Sequence, residues 1–471
     1  MTSTDSTRLA LDDVLPGVPA LLPVVGADLC APLVDGTAVR YANLDYAASA
    51  PALGCVAEHV TQALPYYSSV HRGAGYASQV STALYERART TIAGFVGARE
   101  DDVLIFTRNT TDALNLLATA VPAGGEVLFL DVEHHANLLP WRELPHRVVP
   151  AAHTLAGTVE RLAEALRERP VALVAVTGSS NVTGEILPIA RIAELAHAHG
   201  ARIAVDAAQL APHRRIDIAA LDLDYVAFSG HKLYAPFGSG VLVGRADWLD
   251  AAPPYLAGGG AVREVGVDST VWATSPARHE GGTPNVLGAT ALARACTALA
   301  DLAIGELQAH EGALRERLAA GLRALPGVEV LQIWPDATEQ IGVVTFTIED
   351  HDPGRVAAYL SAEHGIGVRD GRFCAHPLLA RLLPDQTSRS GAIRASLGVG
   401  SSSADVDRLV TAVERLITHG ESSEYALVEG RWAPSPDPRP APAWPLGGTD
   451  DTLLLNELDA VAGSSPCEAT V

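Results

Sequence analysis

The chain has 471 residues, 48% of them hydrophobic and 19% charged, with a formal net charge of −21. This composition suits a globular protein with large cores, and its acidity argues against nucleic acid or an anionic membrane as the main partner. The start, MTSTDSTRLALDD, lacks the basic and apolar runs of a signal peptide, and no apolar run approaches the roughly 18 residues of a membrane span.

The five cysteines, Cys30, Cys55, Cys296, Cys374 and Cys467, are odd in number, widely spaced and form no CxxC pair. Structural disulfides and zinc are therefore not expected, and a reducing cytoplasm is the expected compartment. At about 150 residues per domain, the length fits two domains with ragged ends as well as three.

From about residue 100 to 245, short apolar runs ending in turn residues alternate with helical patterns. VLIFT (103–107), EVLFLD (126–131), VALVAVT (171–177), RIAVD (202–206), YVAFS from Tyr225 and GVLVG (240–244) read as strands. TVERLAEALRER (158–169) and LPIARIAELAHAHG (187–200) carry the 3.6-residue period of amphipathic helices. Buried strands alternating with helices predict an α/β core with a mostly parallel sheet.

A long helical stretch follows around 285–324. Then VEVLQIW (328–334), IGVVTFTIE (341–349), a helix near 354–364, AIRASLG (392–398) and a helix near 403–418 predict a smaller C-terminal α+β domain. The expected division is an N-terminal segment (1–40), a large domain (41–300), a small domain (301–420) and a tail (421–471). In that tail WAPSPDPRPAPAWP (432–445) predicts a linker without helix or sheet, and LLLNEL (453–458) at most one helical turn in a mostly disordered end. The chain has no internal repeat, and GSGVLVG is no dinucleotide fingerprint because it precedes a strand instead of opening a helix.

Of 34 Lys and Arg residues only Lys232, in FSGHKLYAPFGSG (228–240), is lysine. Arginine serves wherever a solvated positive charge is wanted, but a guanidinium cannot lose its proton, and an amine tuned by burial can. The survivor sits in a Gly, Ser and His stretch, which favours a Schiff-base lysine over chance survival.

Catalytic side chains in open α/β sheets collect beyond the carboxyl ends of strands, and four loops there bear on Lys232. Asp206 follows RIAVD and suits a pyridinium nitrogen, or equally a helix N-cap. RNTTDALN (108–115) opens a helix after a strand, which suits a phosphate or plain capping by Thr110 or Thr111. In EHHANLLPW (133–141) His135 suits stacking on a flat heteroaromatic ring, or a polar surface; nothing around it forms a metal motif. In SSNVTGE (179–185) Asn181 suits a ring-oxygen donor or a turn.

With these stretches in view, the chain resembles the fold-type I, class V aminotransferase-like PLP enzymes, and within them the group II cysteine desulfurases. NLDYAASA, VHRGAGYAS, RNTTDALN, EHHANLLPW, SSNVTG, VDAAQ, FSGHKLYAPFGSG, EGGTPN, RDGRFCAHP and IRASLG carry the likeness in order over about residues 40–415. The resemblance implies that Lys232 holds pyridoxal 5'-phosphate (PLP) through a Schiff base and that Asp206 pairs with the pyridine nitrogen. His135 stacks on the ring, Gln209 and Asn181 face its hydroxyl, and Thr111, Ser229 and His231 bind the phosphate. Thr283 in EGGTPN reaches the neighbouring subunit's phosphate, which implies a homodimer.

For the substrate, the resemblance implies that Arg394 grips the carboxylate, as a bidentate clamp can, with Arg369 and Asn181 beside it. Cys374, in the R-x-G-x-x-C-A-x-P frame, attacks the substrate sulfur and becomes a persulfide; Arg369 or Arg372 favours its thiolate. Arg372 and Phe373 depart from the polar or histidine residues usual before this cysteine, and the tail lies outside the family pattern.

The expected activity is conversion of L-cysteine to L-alanine with sulfur passing to Cys374, then to a sulfur-acceptor protein, with Lys232 as the base at Cα. The alternatives are a C–S lyase acting on a cysteine conjugate, a class V aminotransferase or epimerase, and, in another class, a catalytically silent PLP-binding protein.

Overall fold

The computed structural model describes residues 17–383 and 391–440. Seven strands form the central sheet, in the spatial order Asp102–Thr107, Gly240–Arg245, Tyr225–Ser229, Arg202–Asp206, Leu173–Thr177, Val127–Leu130, His146–Val149. Only Gly240–Arg245 runs against its neighbours, so the carboxyl ends of the other six strands share one edge. Leu173–Thr177 and Tyr225–Ser229 are buried at every position, as strands covered on both faces must be.

One face packs Val174, Val176, Ile203, Val205 and Phe228 into a cluster with Leu292 and Cys296 of the helix Val286–Ala300. The other face packs Phe129, Ala175 and Leu242 against Leu114 and Leu117 of the helix Thr110–Ala120 and against Trp141. That helix begins beside Ser229 because Asn109 caps it, its side chain accepting from Asp112 N at 3.0 Å.

The helical stretch at 285–324 is two helices, Val286–Ala300 and Glu306–Arg323, separated by a turn in which Gly305 has φ 85°, a conformation glycine adopts at no steric cost. The second helix covers an antiparallel four-stranded sheet, ordered Val328–Val330, Val343–Ile348, Ala392–Ser396, Arg369–Gly371. Leu318 and Leu322 meet Phe346, Tyr359, Leu409 and Val413 in this smaller core.

The chain crosses between the cores more often than the expected division at 40 and 300 provides. Ala42 and Leu44 belong to the small core, where Ala42–Asn43 pairs in parallel with Ile366–Gly367. Phe373, Leu378 and Leu379 belong to the large one. In the N-terminal segment, Val18 N donates to Ser403 Oγ at 3.0 Å and Leu21 N to Val399 O at 2.7 Å. The cysteine loop is consequently pinned at the seam.

The expected disorder from residue 421 onward is corrected for 421–440. Tyr425–Val428 and Arg431–Pro434 form a hairpin whose two turn residues, Glu429 and Gly430, have φ 51° and 84°. Positive φ at both positions is what a tight two-residue hairpin turn requires. The buried Tyr425 donates its hydroxyl to Glu363 at 3.2 Å, Arg355 Nε donates to Glu421 at 2.7 Å, and the Arg355 guanidinium lies 5.1 Å from the Trp432 ring centroid. WAPSPDPRPAPAWP was expected to form no sheet, yet its first three residues are strand. Proline acts only at the strand's end, since Pro434 is the last residue to pair. LLLNEL and Cys467 lie outside the described residues. Among the described residues no helix is long and apolar enough to cross a membrane.

Candidate active site

The loops beyond the carboxyl edge of the large sheet enclose, together with the small domain's edge, a cavity of about 1030 Å³. Lys232 reaches it because the buried strand Tyr225–Ser229 ends shortly before it, and Leu233 and Tyr234 behind it are buried. Gly230 permits the turn, since a Cβ there would stand 2.8 Å from Ser239 O. Asp206, Gln209, Asn181, Ser229, His231, Thr111, Arg369, Arg394 and Cys374 line the same cavity. Side chains expected at the site from widely separated segments therefore meet around the lysine.

Burial shapes their charges. The Lys232 ammonium is pushed down from 10.5 to about 8 by burial, against the pull of Asp206. Burial pushes the Asp206 carboxyl up, while the Ala208 N–H, 2.9 Å away, and the Lys232 charge oppose it. His231 is pushed down to about 4 by burial and by Lys232. These are the shifts that desolvation imposes on charged forms.

Ser229 Oγ accepts from Thr110 N at 2.8 Å and shares a 2.7 Å hydrogen bond with Thr110 Oγ1. With Thr111 beside them, these groups form a hydroxyl and N–H cluster at a helix start, a setting suited to a phosphate. Gln209 Nε2 donates to Ala47 O at 2.8 Å, and its Oε1 is buried with no protein partner. One Asn181 amide hydrogen is committed to Phe373 O at 2.8 Å, so Asn181 ties down the cysteine loop as well as lining the cavity.

His135 needs correction. The ring that lines the cavity is His134; His135 does not. His135 N donates to Cys374 O at 2.9 Å, and its ring packs edge-on against His376, 4.5 Å between centroids. His134 sits in extended backbone just before a short turn, its Nδ1 accepting from Ala136 N at 3.0 Å. Burial and the Lys232 charge push its pKa down to about 3, which keeps the ring neutral. An HH pair carries no local signal for which ring faces inward.

Arg394 is buried on the strand Ala392–Ser396. Its Nη1 donates to Asn181 O at 2.9 Å and its Nη2 to Asp45 at 3.1 Å, leaving a buried Nε without a partner. Its guanidinium lies 5.1 Å from the Phe373 ring centroid. Asp45, in NLDYAASA, thus belongs to the site although nothing local singled it out. His376, equally unmarked, lines the cavity, as does Thr110, one of the two threonines offered for a phosphate or a cap. Glu133, next to His134 in the chain, is fully buried and does not line the cavity; burial pushes its carboxyl up to about 8, and it accepts from Asn137 at 2.7 Å and Thr177 N at 3.1 Å.

Phe373 and Cys374 both have φ 52°, a left-handed backbone that is uncommon for residues with a Cβ and is found at functional sites. Asn181 and His135 hold this loop by its two carbonyls. Thr283 is exposed and does not line the cavity of its own chain.

Comparison with known proteins identifies the family. The family Aminotransferase class-V matches residues 42–409. A protein named cysteine desulfurase from Dickeya dadantii is 38% identical over 397 residues, covering 81% of this chain and 93% of its own. One named probable cysteine desulfurase from Vibrio cholerae is 35% identical, covering 82% and 95%. Among solved structures, the cysteine desulfurase CsdA (S-sulfonic acid) from Escherichia coli superposes with a TM-score of 0.71 at 34% identity, covering 80% of this chain and 94% of that one. With a mostly parallel seven-stranded sheet, a lone lysine in the cavity and these relatives over most of its length, the chain belongs to the class-V aminotransferase family, as an enzyme of the cysteine desulfurase kind.

Proposed function

We propose that the protein takes sulfur from L-cysteine, releasing L-alanine and leaving the sulfur on Cys374 as a persulfide, with PLP held at Lys232. The observation that carries this reading is the single cavity shared by Lys232, Asp206, Arg394 and Cys374. The residues present fit PLP: a buried amine of lowered pKa, a buried carboxylate, a hydroxyl and N–H cluster, and a buried Gln209 Oε1 without a protein partner. Lys232 would hold the cofactor, Asp206 its ring nitrogen and His134 one face of its ring. Gln209 and Asn181 would stand at its hydroxyl, and Thr111, Thr110, Ser229 and His231 at its phosphate. Bound PLP supplies an electron sink for the pair left at Cα.

The chain's own residues do the rest. Arg394 offers its unpartnered Nε to the substrate carboxylate, beside Arg369. Lys232, half neutral near pH 8, takes the proton from Cα and returns it to the product. Cys374 Sγ, as thiolate, attacks the substrate sulfur: the new S–S bond forms, the Cβ–S bond breaks, and its electron pair passes to the substrate carbon, which is protonated to give alanine. The exposed Thr283 is read as serving the site of a second subunit, so the active species is a homodimer.

The test is incubation with L-cysteine and a reductant, measuring sulfide and alanine together. Wild type should give both, with added sulfur on the GRFCAHP peptide by mass spectrometry. Cys374→Ala should keep PLP and still bind cysteine but lose sulfide release. Wild-type sulfide release from that variant would move the C–S lyase alternative ahead, because in it sulfur leaves without a protein nucleophile.

A further inference from the structure

Directly before Cys374 the chain carries Phe373, where polar or histidine residues are usual. Phe373 is buried, packs with the large core and lines the cavity. Packing alone asks only for an apolar side chain of that volume, but the Arg394 guanidinium lies over this ring, 5.1 Å from its centroid. That is inside the roughly 6 Å over which the negative face of a ring attracts a cation. Phe373 also holds φ 52°, an outlier for a bulky side chain that persists only where its surroundings fix it.

Three contacts close a circuit around that ring. Arg394 Nη1 donates to Asn181 O at 2.9 Å, Asn181 Nδ2 donates to Phe373 O at 2.8 Å, and the Phe373 ring meets the guanidinium. Asp45 accepts from Nη2 at 3.1 Å. Each Nη atom thus has a protein acceptor, while the buried Nε has none. A phenyl ring suits this arrangement because it holds a guanidinium without accepting an N–H, whereas a histidine or other acceptor at 373 would compete for the donors a carboxylate needs. The ring also takes the place of water beside the charge, and an ion pair strengthens as the local dielectric falls.

We propose that Phe373 is a positioning residue for the substrate carboxylate: its ring holds the Arg394 guanidinium and keeps water from it, leaving Nε for the substrate. This rests on the reading of Arg394 as the carboxylate clamp. The residue beside the sulfur nucleophile therefore sets how strongly the site prefers an amino acid over the same amine without a carboxylate. A ring that served only as core would fix the cysteine loop and leave that preference unchanged.

The test measures the Kd of PLP-bound enzyme for L-alanine and for L-alaninamide from the cofactor's absorbance, each ligand counted as free amine. Three proteins are compared: wild type, Phe373→Leu, and the chain with 3,4,5-trifluorophenylalanine in place of Phe373, which keeps the ring and weakens its negative face. Phe373→Leu should weaken L-alanine about three- to tenfold, the worth of one cation–π contact, and change L-alaninamide less than about twofold. The fluorinated protein should shift in the same sense by a smaller factor, and it serves alone if the leucine variant does not fold. Equal weakening of both ligands in Phe373→Leu overturns the proposal, because a displaced loop disturbs them alike. So does a fluorinated protein that binds L-alanine as tightly as wild type does, because the ring is then only packing. Wild type that binds both ligands equally would instead overturn Arg394 as the clamp, and this inference with it.

Discussion

A lysine ammonium ordinarily gives up its proton near 10.5, and burial brings Lys232 to about 8. Only the neutral amine attacks a carbonyl, so PLP uptake by the cofactor-free protein should quicken as pH rises and level off above about 8. The rate at which the yellow band grows in across a pH series measures this; a rise continuing towards 10 would mean that the amine is solvated. Lys232→Ala should leave the protein colourless, and so should Lys232→Arg, because a guanidinium stays protonated and forms no Schiff base. A yellow arginine variant would place the cofactor elsewhere. At this scale the sequence was most legible where a residue type was chemically irreplaceable. The lone lysine pointed to a covalent role before any neighbour was known, whereas Asp45 pairs with Arg394 across 349 residues of chain, and no window of sequence brings them together.

Between elements, the helix Glu306–Arg323 is joined to the large domain through Glu311, which is buried and pairs with His213 at 2.6 Å and Arg214 at 2.6 Å. Burial pushes its carboxyl up, yet the His213 and Arg214 contacts outweigh this and hold it below the ordinary range. A lowered carboxyl stabilises the fold above the unfolded value and loses that contribution as pH falls through the folded one. Glu311→Gln should therefore destabilise by about 3 kcal/mol at pH 7, typical of breaking one side of a buried pair. The gap from wild type should narrow below about pH 4.5, the unshifted value. Thermal unfolding at pH 7 and pH 4 checks both, and equal midpoints at pH 7 would show that the contact couples nothing. The sheet strands and amphipathic helices were readable because a period of two or 3.6 is a local signal. The hairpin was not, because its short strands gain stability only by packing on the helix Pro353–His364.

At the scale of the whole molecule, Thr283 is exposed beside a loop where a Cβ on Gly281 would stand 2.5 Å from Leu256 O. Leu256 and Val271 are large apolar side chains at 56% and 50% exposure. The proposed homodimer buries this region, so sedimentation should give twice the 49.1 kDa chain mass. Leu256→Asp should shift the protein towards monomer and weaken PLP retention together. A monomeric variant that holds PLP as tightly as wild type would refute a shared site. By itself the sequence determined the alternation of strands and helices, the place of the loops at the carboxyl edge, and the lysine and cysteine available for chemistry. These follow from periodicity and side-chain type, which are properties of short segments. Tertiary structure alone decided that His134 and not His135 faces Lys232, that Asp45 meets Arg394, and that the hairpin lines the cavity. In each case the direction of a side chain is set by contacts from distant chain, such as His135 N on Cys374 O, and distance along the sequence carries no record of them.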